Sequence, residues 1–396
     1  MTLILSDRTA GFGSCVTRLS SILCREAGGI NLAQGFPEED PPDCVLKAHT
    51  SALMEGHNQY ADMRGLHELR EAVCRHRAEM HPGSVYDAGS EALIGCGATE
   101  MAAAACLATI NIGDEVLLQS PAYENYRPQV LLAGGAPRYY CLSANNQIDM
   151  DSLRRAISPR TRAIIFNSPN NPTGRVFSGM ELSEVARLCC ERDLIAIIDE
   201  VYEHLVWEKR SMLSLASLPG MRERSIVISS LSKGWRATGW RVGWALAPEQ
   251  LMAGVRRCHD FLTGCAPTAA QIAAVTALSM APEFYLKQAA EYEERRKILG
   301  RALEEAGFGF TWPEGTYYFF VDARPLGYGD SRSFAEDLLR EASVGVVPWH
   351  AFFDDASPET TSWFRIYFAK STQTVSEAVE RIRAFALKLR NKTKAR

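Results

Sequence analysis

The chain has 396 residues, 46% of them hydrophobic and 23% charged, with a formal net charge of −4. That length accommodates two or three domains, or one large α/β domain with a smaller companion. The balance of charge offers no clustered excess of Lys and Arg for nucleic acid, and no stretch approaches the roughly 18 uninterrupted apolar residues of a membrane span.

The start, "MTLILSDRTAGFG", lacks a basic segment followed by a long apolar run, so no secretory signal is expected. Eleven cysteines are scattered with no CxxC pair, and no metal site is expected. These features read as a reduced, cytoplasmic protein whose cysteines are mostly core filler. The first 45 residues, with "GGINLAQGFPEEDPPD", are punctuated by Pro and Gly. They read as an arm that packs against the C-terminal unit or a partner subunit.

From about residue 90, short apolar runs alternate with helical periodicity. "ALIGC" is followed by the alanine-rich helix pattern "ATEMAAAACLATI". Then come "EVLLQ", "APRYYCL", "RAIIFN", "LIAIIDE" and "SIVISS", several separated by amphipathic stretches such as "SGMELSEVARLCCERD". In the last of these the helical period points Cys189 and Cys190 to different sides. Continuous apolar strands alternating with helices predict an α/β fold with a mainly parallel sheet covered on both faces.

After about residue 280 the texture changes to a long charged helix pattern, "APEFYLKQAAEYEERRKILGRALEEAG". "TYYFFVDAR", "VGVVPW", "WFRIYFA" and a final helix "TVSEAVERIRAFALKL" then predict a smaller α+β unit. The basic tail "KLRNKTKAR" is expected to be solvated and frayed. The boundaries drawn are residues 1–45 for the arm and part of the small domain, 46–285 for the large domain and 286–396 for the small C-terminal domain.

Parallel α/β sheets bind ligands beyond the carboxyl ends of their strands, so the residues just after each strand candidate carry the argument. After "ALIG", Gly97, Ala98 and Thr99 open a helix whose free N–H groups form an anion site; alternatively, Thr99 is an ordinary helix residue. After "RAIIF", the turn "NSPNNPTG" holds more amide side chains than a turn requires. After "LIAII", Asp199 and Glu200 end a buried strand, where a carboxylate needs a ligand cation or a structural salt bridge to an arginine. After "SIVIS", Lys233 follows Ser230 and Ser232, and Arg241 comes eight residues later. A partly desolvated lysine becomes a usable nucleophile, and serines with an arginine clamp a phosphate. A reactive lysine, a buried acid and an anion cradle are the three requirements of pyridoxal 5'-phosphate.

The motifs "GATE", "AYENY", "NSPNNPTG", "DEVY", "SLSKGWRATGWRVGW" and "WFRIYFA" occur in that order over nearly the whole chain. In these the sequence resembles the pyridoxal-phosphate-dependent fold type I aminotransferases of class I/II. "NLAQGFP" and "NQYADMRGLHELREAV" are similar to the kynurenine, glutamine and methionine aminotransferase subgroup. The resemblance implies a seven-stranded, mainly parallel sheet between helices in the large domain. It further implies that Lys233 holds the cofactor as a Schiff base and moves the proton, with Asp199 on the pyridine nitrogen. By the same resemblance Asn171 and Tyr202 address the ring hydroxyl, and Tyr123 stacks on the ring. Gly97, Ala98, Thr99, Ser230, Ser232 and Arg241 surround the phosphate, and Tyr60 reaches the phosphate of a neighbouring subunit in a homodimer with shared sites. Arg365 takes the substrate's α-carboxylate, assisted by Asn171 and the backbone at Gly35. The implied reaction moves an amino group between an aromatic, sulfur-containing or glutamine-like amino acid and a 2-oxo acid, with ping-pong kinetics.

The sequence departs from the subgroup after the lysine, where it reads Gly234-Trp235-Arg236. Arg236 either pairs with surface carboxylates or meets an extra anionic group on the substrate. The same scaffold also serves β- or γ-elimination and replacement, for example on S-adenosylmethionine. A non-catalytic cofactor-binding regulator is the remaining alternative.

Overall fold

A computed structural model describes residues 6–143 and 145–394. The first five residues and the last two of the basic tail lie outside them; the final helix continues to Lys394 rather than fraying at "KLRNK". Thirteen strands are present among the described residues: β1 (Ile30–Asn31), β2 (Ala92–Gly95), β3 (Glu115–Ser120), β4 (Ala136–Cys141), β5 (Thr161–Asn167), β6 (Ile195–Asp199), β7 (Ser225–Ser230), β8 (Gly243–Leu246), β9 (Gly309–Phe310), β10 (Tyr318–Asp322), β11 (Val344–Gly345), β12 (Val347–Pro348) and β13 (Trp363–Tyr367).

Seven of them form one sheet in the order β2-β8-β7-β6-β5-β3-β4. Neighbours pair in parallel except around β8, which runs antiparallel to both β2 and β7. β8 starts within "SLSKGWRATGWRVGW", where the sequence pattern predicts no strand. Its Trp244-Ala245-Leu246 is too short a run to separate from the turn before it. Gly239 has open space beside it, whereas a Cβ on Gly243 would press against the Ala98 backbone N. Gly243 is therefore required for close packing and not for a bend.

The apolar runs of β2, β6, β7 and β8 are buried at every position, because helices cover both faces of the sheet. One face packs Leu117, Ile164, Phe166 and Ile198 with Trp235 and the helix Thr268–Leu278. The other packs Leu93, Ile165, Ile197 and Ile228 against the alanine-rich helix Ala98–Thr109. A separate core gathers Tyr317, Phe319, Phe334, Phe364 and Phe385 around β10 and β13. The helix Pro282–Ala306 links the cores. Phe284 and Tyr285 lie against the first, while Tyr292, Leu299 and Leu303 belong to the last. The arm packs on the C-terminal part of the chain: β1 pairs with β11, and Leu32 enters that core.

Cys189 is buried and Cys190 exposed, as the helical period requires. The wider expectation of core cysteines is corrected: Cys24, Cys74, Cys106 and Cys189 are buried, but Cys15, Cys44, Cys141 and Cys190 are exposed. All are unpaired thiols. No helix among the described residues is long and apolar enough to cross a membrane.

Behind the end of β6 lies a buried polar cluster. Arg77 pairs with Glu200 and donates to Ser214 Oγ at 2.6 Å. Ser229 Oγ donates to Glu203 Oε1 at 2.7 Å, and the Nε2 atoms of His76 and His204 share a 2.9 Å hydrogen bond. Burial pushes the Glu203 carboxyl up to about 7, and it pushes His76 and His81 down to about 4. The histidines favour the fold while neutral, and their contribution is lost as pH falls from 6.5 toward about 4. Glu203 acts with the opposite sign: its contribution is present below 4.5 and is lost as pH rises through about 7. Glu203→Gln keeps an acceptor for Ser229. It is expected to raise thermal stability above pH 7 and to steepen the loss toward pH 4. Melting temperatures across that range check this, and parallel curves for the two proteins would refute it.

Candidate active site

Because β2, β5, β6 and β7 run in the same direction, their carboxyl ends lie along one sheet edge. A cavity of about 440 Å³ opens there, closed from the other side by Tyr318 of β10, Arg365 of β13 and Gly35 and Phe36 of the arm.

Asp199, the last residue of β6, is buried at the cavity floor. Tyr126 Oη donates to its Oδ2 at 2.7 Å and the Val201 N–H to its Oδ1 at 3.2 Å. It has no ion pair among the described residues, and burial raises its pKa against those two hydrogen bonds. The structural salt bridge weighed for "DE" belongs instead to Glu200, which has Arg77.

Lys233 sits in the four-residue helix Leu231–Gly234 after β7. The N-cap Ser230 Oγ accepts the Ser232 N–H at 3.3 Å and starts this turn. Lys233 Nζ donates to the Gly35 carbonyl at 3.3 Å and lies 5.9 Å from the ring centres of Tyr202 and Tyr317. Burial lowers its pKa, which makes the free amine more available.

A third corner is built for an anion. The N–H groups of Ala98 and Thr99, at the start of the helix Ala98–Thr109, have no partner among the described residues. Arg241 lies beside them in a left-handed conformation (φ 56°), donating to the carbonyls of Thr238 (2.9 Å) and Cys96 (3.2 Å). Gly97 (φ 83°) admits it, since a Cβ there would collide with the Arg241 guanidinium.

Opposite, Arg365 is buried on β13. Its Nη1 donates to Asn171 Oδ1 at 2.9 Å and its Nη2 to the Ala33 carbonyl at 3.0 Å. Its guanidinium lies 4.1 Å above the Tyr318 ring, and its Nε has no partner. A buried cation without a counter-ion is costly unless a ligand anion completes it.

The cavity thus brings together Gly35, Ala98, Thr99, Tyr123, Asn171, Asp199, Tyr202, Ser230, Ser232, Lys233, Arg241 and Arg365. Gly97 stands directly behind it, and Tyr60, 90% exposed, is not among its lining residues. Arg236, for which a carboxylate partner and a substrate contact were the two alternatives, does not line it. Its left-handed backbone (φ 60°) follows the Lys233 turn and sends the side chain to the helix Pro282–Ala306. There Arg236 Nη2 donates to Glu291 Oε2 at 3.0 Å, with the guanidinium 5.6 Å from the Tyr292 ring. Arg236→Ala should therefore leave the ranking of acidic and neutral amino donors by kcat/KM within about twofold of the parent. A selective loss of acidic donors would return Arg236 to the site.

Sequence reasoning missed Tyr126, Tyr318, Asn167 and Arg18. Tyr126 was in view as the last residue of "AYENY". Asn167, the first residue of "NSPNNPTG", donates to the Asp199 carbonyl at 2.9 Å and accepts the Asn171 N–H at 2.7 Å. Tyr318, whose hydroxyl is 3.1 Å from that of Tyr202, carried no signal beyond an aromatic strand. Arg18 carried none.

Residues 27–382 match the family model described as aminotransferase class I and II. The chain belongs to that family. This aminotransferase is 39% identical over 390 residues to the probable N-succinyldiaminopimelate aminotransferase DapC of Mycobacterium tuberculosis, covering 96% of this chain and 98% of the relative. It is 33% identical over 382 residues to the methionine aminotransferase of Escherichia coli, with 96% and 98% covered. The solved structure of the M. tuberculosis N-succinyldiaminopimelate aminotransferase matches it with a TM-score of 0.93 at 38% identity, covering 96% of this chain and 100% of that one.

The fold is therefore fold type I, and the aminotransferase is an enzyme dependent on pyridoxal phosphate, using amino acid and 2-oxo acid substrates. The relatives do not favour the elimination and regulator alternatives. The donor set fits the cofactor. A buried acid without a cation, an amine of lowered pKa and a set of unpartnered N–H groups beside an arginine face one cavity. They match a pyridine nitrogen, an aldehyde and a phosphate.

Proposed function

We propose that this aminotransferase transfers the α-amino group of an aromatic, sulfur-containing or glutamine-like amino acid to a 2-oxo acid at this cavity. It does so as a cytoplasmic homodimer in which Tyr60 completes the partner's site. The observation that carries the reading is a pair of buried charges, Asp199 and Arg365, each without an ionic partner among the described residues, facing the cavity that holds the Lys233 amine.

Ala98, Thr99, Ser230, Ser232 and Arg241 would hold the phosphate of pyridoxal phosphate, with Tyr123 against its ring. Asn171 and Tyr202 would address its hydroxyl, Asp199 its nitrogen and Lys233 its aldehyde. When bound, the cofactor supplies an electron sink for the bond broken at the substrate's Cα. Arg365 donates through its guanidinium to the α-carboxylate, which fixes the Cα–H bond relative to Lys233. Lys233 Nζ takes the Cα proton, and burial, by lowering its pKa, raises the share of free amine able to do so. A cation beside Asp199 would favour its ionised form, because Tyr126 and Val201 offset just part of its burial.

The amino group crosses in two half-reactions, so ping-pong kinetics are expected. The test is product identification by mass spectrometry from a panel of aromatic, sulfur-containing, amide and sulfonium donors. Each accepted donor should give the 2-oxo acid with its side chain intact. Donors consumed with loss of the side-chain substituent would favour elimination or replacement instead.

A further inference from the structure

We propose that Arg236 is a positioning residue for the Lys233 amine: from the turn after the lysine, it fixes where the Gly35 carbonyl meets Nζ. This rests on the reading of Lys233 as the group that moves the Cα proton. It gives a task to Gly234-Trp235-Arg236, the tripeptide in which the sequence departs from the subgroup.

The tripeptide fastens the lysine turn to two separate elements. A Cβ on Gly234 would stand 3.0 Å from His204 Cδ2, so the turn lies directly on that ring. Trp235 is buried in the large core, where its Nε1 donates to the Ala277 carbonyl at 2.8 Å and its ring stands edge-on to His204 at 5.0 Å. Arg236 ties the same turn to the helix Pro282–Ala306 through Glu291. A non-glycine residue in the left-handed region is strained, and it persists where surrounding contacts over-determine it.

From Arg236 the contacts lead back to the amine. Its guanidinium lies 5.6 Å from the centre of the Tyr292 ring, and that of Arg295 lies 5.2 Å from the same ring. Arg295 forms an ion pair with Glu39 of the arm. Tyr292 stands edge-on to Tyr317 at 6.3 Å, and Tyr317 Oη donates to the Gly35 carbonyl at 3.1 Å. That carbonyl also accepts Lys233 Nζ. Both routes thus end on one stretch of the arm, Gly35 to Glu39. Burial disfavours the charge on Arg236, while Glu39 and Glu291 favour it.

Other bonds of this stretch, from Tyr367 Oη to the Phe36 carbonyl and from the Glu38 N–H to the Ala369 carbonyl, hold it to the C-terminal core. The route through Arg236 refers it instead to the turn that carries Lys233. An amine that takes a proton must aim its lone pair, and a carbonyl that accepts one of its N–H bonds sets that direction. A misplacement of about 1 Å in such geometry costs on the order of a hundredfold in rate.

The experiment measures steady-state kinetics and amide hydrogen exchange on the holoenzymes of the parent, Arg236→Gln, Arg236→Lys and Glu39→Gln. Arg236→Gln should lower kcat about 10- to 50-fold for acidic and neutral donors alike, with KM changed less than about threefold. The amides of Phe36 and Glu38 should exchange at least about fivefold faster, while those of the helix Thr268–Leu278 keep the parent rate. Arg236→Lys should recover part of both effects, because it keeps a cation facing Glu291. Adding Glu39→Gln to Arg236→Gln should lower kcat little beyond the larger single loss, as for members of one network. Unchanged kcat, a loss confined to KM, losses that multiply, or an arm that exchanges as in the parent would overturn the proposal. Should Arg236→Gln not fold, Glu39→Gln alone carries the same two expectations. If no amino acid is converted, the aminotransferase reading fails, while hydrogen exchange of the arm still judges Arg236.

Discussion

Lys233→Ala is expected to lower turnover by at least about a thousandfold, or ~4 kcal/mol in the barrier, and to abolish the visible band of a lysine-held cofactor. Among the cavity cations Lys233 alone carries an amine, and burial lowers its pKa in favour of the free base. Folding should not confuse the outcome. Lys233 contributes one 3.3 Å bond to the Gly35 carbonyl, and its removal relieves a partly buried charge. Circular dichroism and melting of the cofactor-free variant should match the parent. A folded Lys233→Ala enzyme with ordinary turnover would remove the basis of the mechanism.

Asp199→Asn should separate function from stability. Asparagine keeps the shape and retains an acceptor for Tyr126, but it cannot balance a protonated pyridine nitrogen. Losing one member of a buried charge pair costs about 3–5 kcal/mol, so a fall of roughly 10²–10⁴ in kcat/KM is expected. The cofactor-free protein should behave in the opposite way. Its Asp199 has a raised pKa, so its contribution to stability is lost as pH rises from the ordinary carboxylate range through that raised value. Asp199→Asn should then leave the cofactor-free melting temperature near pH 8 unchanged or higher, while cofactor affinity drops. A lower melting temperature without cofactor, together with unimpaired turnover, would mark Asp199 as a structural acid.

Much of the site was legible because a parallel sheet ties position to role. A residue directly after an apolar strand must stand at the sheet's carboxyl edge, and Asn167, Asp199 and Ser230 do. The left-handed Gly97 and Arg241 fit the same logic, since a close backbone approach leaves a glycine mark. Residues that arrive from far along the chain left no such mark. Arg18 comes from the arm and Tyr318 from the second core, and only tertiary packing carries either to the cavity. β8 was hidden because an antiparallel strand between two parallel ones follows no alternation of strand and helix. The two roles weighed for Arg236 stayed open because nearness in sequence to Lys233 says nothing of direction after a left-handed turn. The pairing of Glu200 with Arg77 likewise depends on a helix more than a hundred residues upstream.

The short pairing of β1 with β11 sets an order of assembly during synthesis. Ile30 cannot meet Val344 until about 300 more residues have left the ribosome, whereas Lys233, Asp199 and Arg241 belong to a sheet whose strands end at Leu246. A nascent chain can therefore form its cofactor corner before it owns Arg365 or a place to dock Arg18. The residues of the cofactor corner are thus encoded ahead of Arg365, which completes the substrate side of the cavity.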